Sequence, residues 1–83
     1  MKRDIAFQII VDEQLKHYNW FNSHKVGADE VIIEKLGEKW CVSATDERAC
    51  IVETSRSYFD SEEDALDRFI KLLRLDKLYH YST

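Results

Sequence analysis

The sequence predicts an α+β domain of order α-β-β-β-α, a three-stranded antiparallel meander packed against an N-terminal and a C-terminal helix. Three observations lead there. Apolar residues recur at helical spacing near both ends of the chain. Three stretches rich in Val, Ile and Trp follow one another in the middle, and only Gly37-Glu38 and Asp46-Glu47 separate them. Breaks that short join antiparallel neighbours, because a parallel pair needs a long crossover.

The first element is expected from about Asp4 to Tyr18. Phe7, Val11, Leu15 and Tyr18 fall on one helical stripe, which Ile10 widens. The β-rich run Phe7 to Val11 would also suit a strand, but Asp12 to Lys16 favour helix by propensity. Asn19 to Gly27 is expected as a loop, with Asn22-Ser23 as turn formers and Trp20 and Phe21 as anchors.

Strands are expected over Glu30–Leu36, Lys39–Thr45 and Ala49–Ser55. In the middle one, Trp40, Val42 and Ala44 share a face that should be buried, opposite Cys41, Ser43 and Thr45. The register of the third strand is open, since a slip of one residue exchanges its two faces, and with it whether Cys41 and Cys50 are adjacent. The last helix should start near Ser61, with Asp60 and Glu63 at capping-box spacing and Glu62, Glu63 and Asp64 at its positive end. Its apolar stripe is Ala65, Leu66, Phe69, Leu72 and Leu73. Leu78-Tyr79-His80-Tyr81 follow a polar break at Asp76-Lys77, and their two tyrosines read as a packed helix end, with an exposed adhesive patch as the alternative.

Eighty-three residues make one domain, 1–83, with a small core, yet 45% hydrophobic residues and no proline suffice to pack a sheet on helices. Sixteen acidic against twelve basic residues give a net charge of −4, which argues against nucleic acid and suits a basic protein partner better. Two cysteines, not spaced as Cys-x-x-Cys, imply a reducing compartment, so the expected location is cytoplasmic. Nothing in the chain reads as a signal peptide or a membrane span.

Catalytic chemistry finds no foothold. His17, His24 and His80 lack metal-ligand spacing, and neither cysteine has a basic cluster to lower its pKa. Neither glycine sits in a phosphate-cradling loop, and no nucleophile elbow is present. The expectation is a binding protein without metal or cofactor, not an enzyme. Loops held on a hairpin concentrate binding residues, so Asp46, Glu47 and Arg48 are candidates for partner contact, with Glu34 and Glu38 on the neighbouring hairpin.

One group of motifs goes further: Val31-Ile32-Ile33-Glu34, Lys39-Trp40-Cys41-Val42, Thr45-Asp46-Glu47-Arg48, and Phe59-Asp60-Ser61-Glu62-Glu63-Asp64-Ala65-Leu66, followed by Phe69-Ile70. A Trp-bearing strand, a charged turn and a Ser-Glu-x-x-Ala helix in this order resemble the immunity proteins of polymorphic toxin systems, most nearly the immunity protein 59 family. The resemblance spans roughly Val31 to Leu73. It implies a bacterial antidote, monomeric or homodimeric, that occludes the active site of one cognate toxin such as a basic nuclease domain. None of these motifs is catalytic, and the resemblance assigns no binding residue. The alternative is an adaptor that binds a peptide or subunit through an exposed edge strand, Val31 to Leu36.

Overall fold

A computed structural model describes the backbone of residues 1–81 and the side chains of residues 1–78. The α+β class holds: an N-terminal helix α1 (Arg3–Asp12) and a C-terminal helix α2 (Glu62–Tyr81) accompany one sheet. The sheet has four strands rather than three, β1 (Tyr18–Trp20), β2 (Val31–Leu36), β3 (Lys39–Ala44) and β4 (Ser57–Phe59), in spatial order 1-2-3-4. The antiparallel meander is β2-β3-β4, and β1 adds a parallel edge with Tyr18, Asn19 and Trp20 opposite Val31, Ile32 and Ile33.

The first helix stops six residues short of the expected Tyr18 because the chain folds into a Schellman cap. Gln14 takes φ 54°, its amide bonds Val11 O at 3.3 Å, and the Leu15 amide reaches Ile10 O at 2.9 Å. Leu15 and Ile10, the hydrophobic pair that accompanies this cap, are both buried. Glycine normally fills the left-handed position, so a glutamine there gave no stop signal. The buried face of α1 is Ala6 and Ile10, while Phe7 and Val11, expected inside, stay 46% and 55% exposed.

The helices run parallel, side by side. Met1 and Arg3 contact Asp67 and Glu62 at one end, and Glu13 takes Arg74 at 2.6 Å at the other. At the start of α2 the cap is Ser61, whose hydroxyl accepts the Asp64 amide at 3.1 Å, not Asp60. Asp60 is taken by Lys39 at 2.7 Å. Ala65, Leu66, Phe69, Ile70 and Leu73 of α2 meet Val31, Ile33 and Val42 in the core, with Tyr18, Trp20, Trp40 and Phe59 around them.

The expected third strand, Ala49–Ser55, is absent. Ala49 takes φ 62° inside a tight loop, and only the Thr45–Ile51 bridge survives. The Ser55 hydroxyl then occupies the Ala44 amide at 3.0 Å, where a strand backbone would have paired, and Glu53–Ser55 make a 3₁₀ turn. Strand pairing resumes at β4, with Cys41 opposite Tyr58. Cys41 and Cys50 are therefore not partners: both are free, the first buried and the second exposed.

Two further corrections concern the sheet's surfaces. Val31–Leu36 is an inner strand rather than the sheet's edge, since β3 pairs along its whole length and β1 covers its first half, Val31 to Ile33. The face opposite the helices is not open either. Asn19, Ile32, Cys41, Ser43 and Thr45 are buried on it, beneath the connections 21–30 and 45–56. Those connections are held by Asn19 Nδ2 to His24 O at 3.0 Å and Thr45 Oγ1 to Gly27 O at 2.8 Å. The Trp40 face is covered as expected at Val42, while Trp40 itself is only half-buried.

Candidate protein-binding surface

Thr45 builds the end of the sheet where the charged turn sits. Its hydroxyl accepts the Glu30 amide at 2.7 Å and donates to Gly27 O, and its own amide bonds Glu30 O at 2.8 Å. The Asp29 amide adds a bond to Asp46 O at 3.0 Å. Together these tie the segments 27–30 and 45–50 into one surface. Glu30 is spent inside it, on the Gly27 amide at 2.7 Å and on His24 Nε2 at 2.6 Å.

Asp46 does a structural task within the turn. Its carboxylate accepts the Arg48 amide at 2.8 Å and the Cys50 amide at 3.1 Å. These bonds, that from Cys50 foremost, hold its carboxyl below the usual aspartate range, so the negative charge is fixed at neutral pH. Glu47 and Arg48 project from this braced turn and are exposed.

The other two candidates lie elsewhere. Glu38 occupies the two-residue turn with Gly37, at the far end of β3, roughly 25 Å away at strand rise. Glu34 sits half-buried on the loop-covered face, opposite Cys41. Burial pushes the Cys41 thiol up, with Arg56 opposing and Glu34 assisting, so it stays protonated and unreactive. The five residues therefore divide into a compact group, Asp46 to Arg48, and two separate positions.

Asp29 belongs to the group and was not among the expected residues. It is exposed, at φ 53°, beside Asp46. The signal for it, an aspartate two residues after Gly27, is the ordinary signal of any loop. The braced end thus displays Asp29, Glu47 and the turn-bound Asp46, with Arg48 as the local cation.

Among the described residues no group of His, Cys, Asp and Glu converges as a metal site. A pocket of about 230 Å³ between the helix N-termini is lined by Met1, Lys2, Arg3, Glu62, Glu63 and Leu66. That is below the usual size of a small-molecule site, and within its lining Arg3 is paired with Glu62. No helix among the described residues is long and apolar enough to cross a membrane. Comparison of the chain with family models, with curated proteins and with solved structures finds no match.

Proposed function

We propose that this chain is an immunity-type protein, which binds one cognate toxin domain and covers its active site with the braced acidic end of the sheet. The observation that carries the reading is the cross-tied loop pair. The Asp29 amide bonds Asp46 O, and Thr45 braces the neighbouring Gly27 and Glu30, so the segments that carry Asp29, Asp46 and Glu47 are fixed to one another before any partner arrives. A preorganised surface loses little conformational entropy on binding, and fixed negative charge steers a basic partner to it. Acid groups of this kind occupy the places where a nuclease would hold phosphates. Arg48 offers a bidentate contact to a carboxylate on the partner. The resemblance of Val31 to Leu73 to toxin-immunity proteins points the same way.

The test is recovery of the tagged protein from its host at moderate salt, followed by co-expression with any toxin-like domain that co-elutes. One such partner and protection of the cell are expected. Asp29→Lys and Glu47→Lys should each slow association about tenfold, through loss of steering, while Glu38→Lys at the opposite end changes little. If no toxin-like domain is recovered and no neighbouring toxin is neutralised, the reading fails.

A further inference from the structure

β4 forms one edge of the sheet, and the hydrogen bonds of the inner strands fix which of its backbone groups point outward. The Thr45 amide bonds Glu30 O at 2.8 Å, so Glu30 and Thr45 are a bonded pair of the β2–β3 ladder. By antiparallel alternation Ser43, Cys41 and Lys39 also bond β2, and Trp40, Val42 and Ala44 turn their groups to the other side. Ala44 fits this alternation: its amide donates to Ser55 Oγ at 3.0 Å and its carbonyl accepts the Val52 amide at 2.9 Å. Trp40 and Val42 therefore bond Phe59 and Ser57, while Tyr58, opposite Cys41, turns its N–H and C=O away from the sheet. Neither group has a hydrogen-bond partner among the described residues.

The side chains along this edge carry an ordered charge pattern. Arg56, Tyr58 and Asp60 alternate with Ser57 and Phe59, which puts them on the face where Cys41 lies. Arg56 is extended, at φ −66° and ψ 129°, bonds Glu53 at 2.7 Å and reaches Cys41 and Tyr58. Tyr58 is 56% exposed. The Asp60 side chain is 88% exposed; its Oδ1 accepts from Lys39 at 2.7 Å, and its Oδ2 has no bond among the described residues. Ser57-Tyr58-Phe59 contains neither a charge nor a proline to blunt the edge. α2 packs on the sheet from the opposite face.

We propose that two copies of this chain join edge to edge through β4, antiparallel and centred on Tyr58, into one continuous eight-stranded sheet. In such a pair, residues equally far before and after Tyr58 stand opposite each other. Arg56 of each copy then faces Asp60 of the other, and the two Tyr58 rings meet across the axis. The charge pattern is complementary to itself. A segment of one charge sign would be repelled at Arg56 or at Asp60, whereas a second copy satisfies both. The existing pairs need not break, because a guanidinium has five donors and Asp60 keeps one oxygen open. Glu53, Arg56, Asp60 and Lys39 then form an alternating row across the contact. The Tyr58 N–H and C=O exchange two bonds with their counterparts, and the Asp60 amide and the Arg56 carbonyl continue the ladder.

The contact is short. Before Arg56 the chain enters the 3₁₀ turn Glu53–Ser55, and after Asp60 it enters α2, so pairing ends after five residues. A standard interface has roughly 20–30 residues a side, so this dimer is weak and forms at high protein concentration. It is separate from the acidic loop end: Cys41, opposite Tyr58, lies five residues from Asp46, roughly 17 Å at strand rise.

The experiment is sedimentation of the full chain from about 10 µM to about 1 mM, with amide chemical shifts followed over the same dilution. A dimer that grows with concentration is expected, with the largest dilution shifts at Tyr58 and Asp60. Asp60→Arg sets arginine against arginine at both cross contacts and should weaken the dimer about tenfold. Arg56→Asp combined with Asp60→Arg exchanges the two charges and should restore it. Glu47→Lys should leave it unchanged. If Arg56→Asp disturbs the fold through loss of its bond to Glu53, the Asp60→Arg variant and the dilution shifts decide alone. A monomer throughout the range, dilution shifts at Tyr18 and Trp20 in place of Tyr58, or a dimer untouched by Asp60→Arg overturns the proposal. So does a folded double variant that stays as weak as Asp60→Arg.

Discussion

On the helix-covered side of the sheet, Val31, Ile33 and Val42 meet Leu66, Phe69 and Leu73, large apolar side chains of the one helix α2. On the other side the same strands present Ile32, Asn19, Cys41, Ser43 and Thr45 to irregular loops, and burial there is just as complete. The difference lies in how each side is held. Helices supply area and interdigitation, whereas loops bring backbone groups that must find hydrogen bonds. Thr45 and Asn19 Nδ2 meet that need, but Asn19 Oδ1 and Ser43 Oγ on this side, like Trp40 Nε1 on the other, are buried without a partner among the described residues. Loop cover therefore leaves two buried polar atoms without a bond among the described residues, and the helix-covered side leaves one, the Trp40 indole nitrogen.

The strongest way to break the contrast is Phe69→Ala, which empties the centre of the helix side; a loss of about 3–5 kcal/mol is expected in urea unfolding. Thr45→Val, nearly isosteric, should cost about 1–3 kcal/mol, because it orphans the Glu30 amide and Gly27 O at once. Its native-state hydrogen exchange should rise across residues 27–30 before it rises in β2. Ser43→Ala should lie within about 0.5 kcal/mol of the parent or be stabilising, since its hydroxyl makes no bond to lose. A loss well above 1 kcal/mol there would mean that a water or another group satisfies the oxygen. Thiol labelling is the gentlest probe. Cys50 should be alkylated in the folded protein and Cys41 only on unfolding, as burial both covers the latter and keeps it protonated. Equal labelling rates would show that the loop cover opens readily.

How much of this was legible follows from the same contrast. The apolar period of Ala65 to Leu73 and the alternation in Lys39 to Ala44 are local, and both elements stand where they were expected. The Schellman cap at Gln14 was not, because glutamine rarely takes φ > 0 and nothing nearby announces it. β1 was hidden where the expected helix, ending at Tyr18, met the expected loop from Asn19, since three residues become a strand only by pairing with a segment thirteen residues on. The run Ala49–Ser55 has strand composition, yet the Asp46 turn and the Ser55 hydroxyl override it. The candidate group Asp46, Glu47 and Arg48 was visible as a charged turn, but its neighbour Asp29 was not, as only the fold brings residues 27–30 against it.

The sequence by itself determined the α+β class, the acidic balance, the meander's first hairpin and the C-terminal helix. Each depends on side-chain period, composition or a two-residue turn, and these act over a few residues. Tertiary structure alone decided the parallel edge, the loop-covered face and the separation of Glu34 and Glu38 from Asp46. Those depend on which distant backbone groups find one another, and a buried N–H or C=O accepts any segment that satisfies it, whatever its sequence.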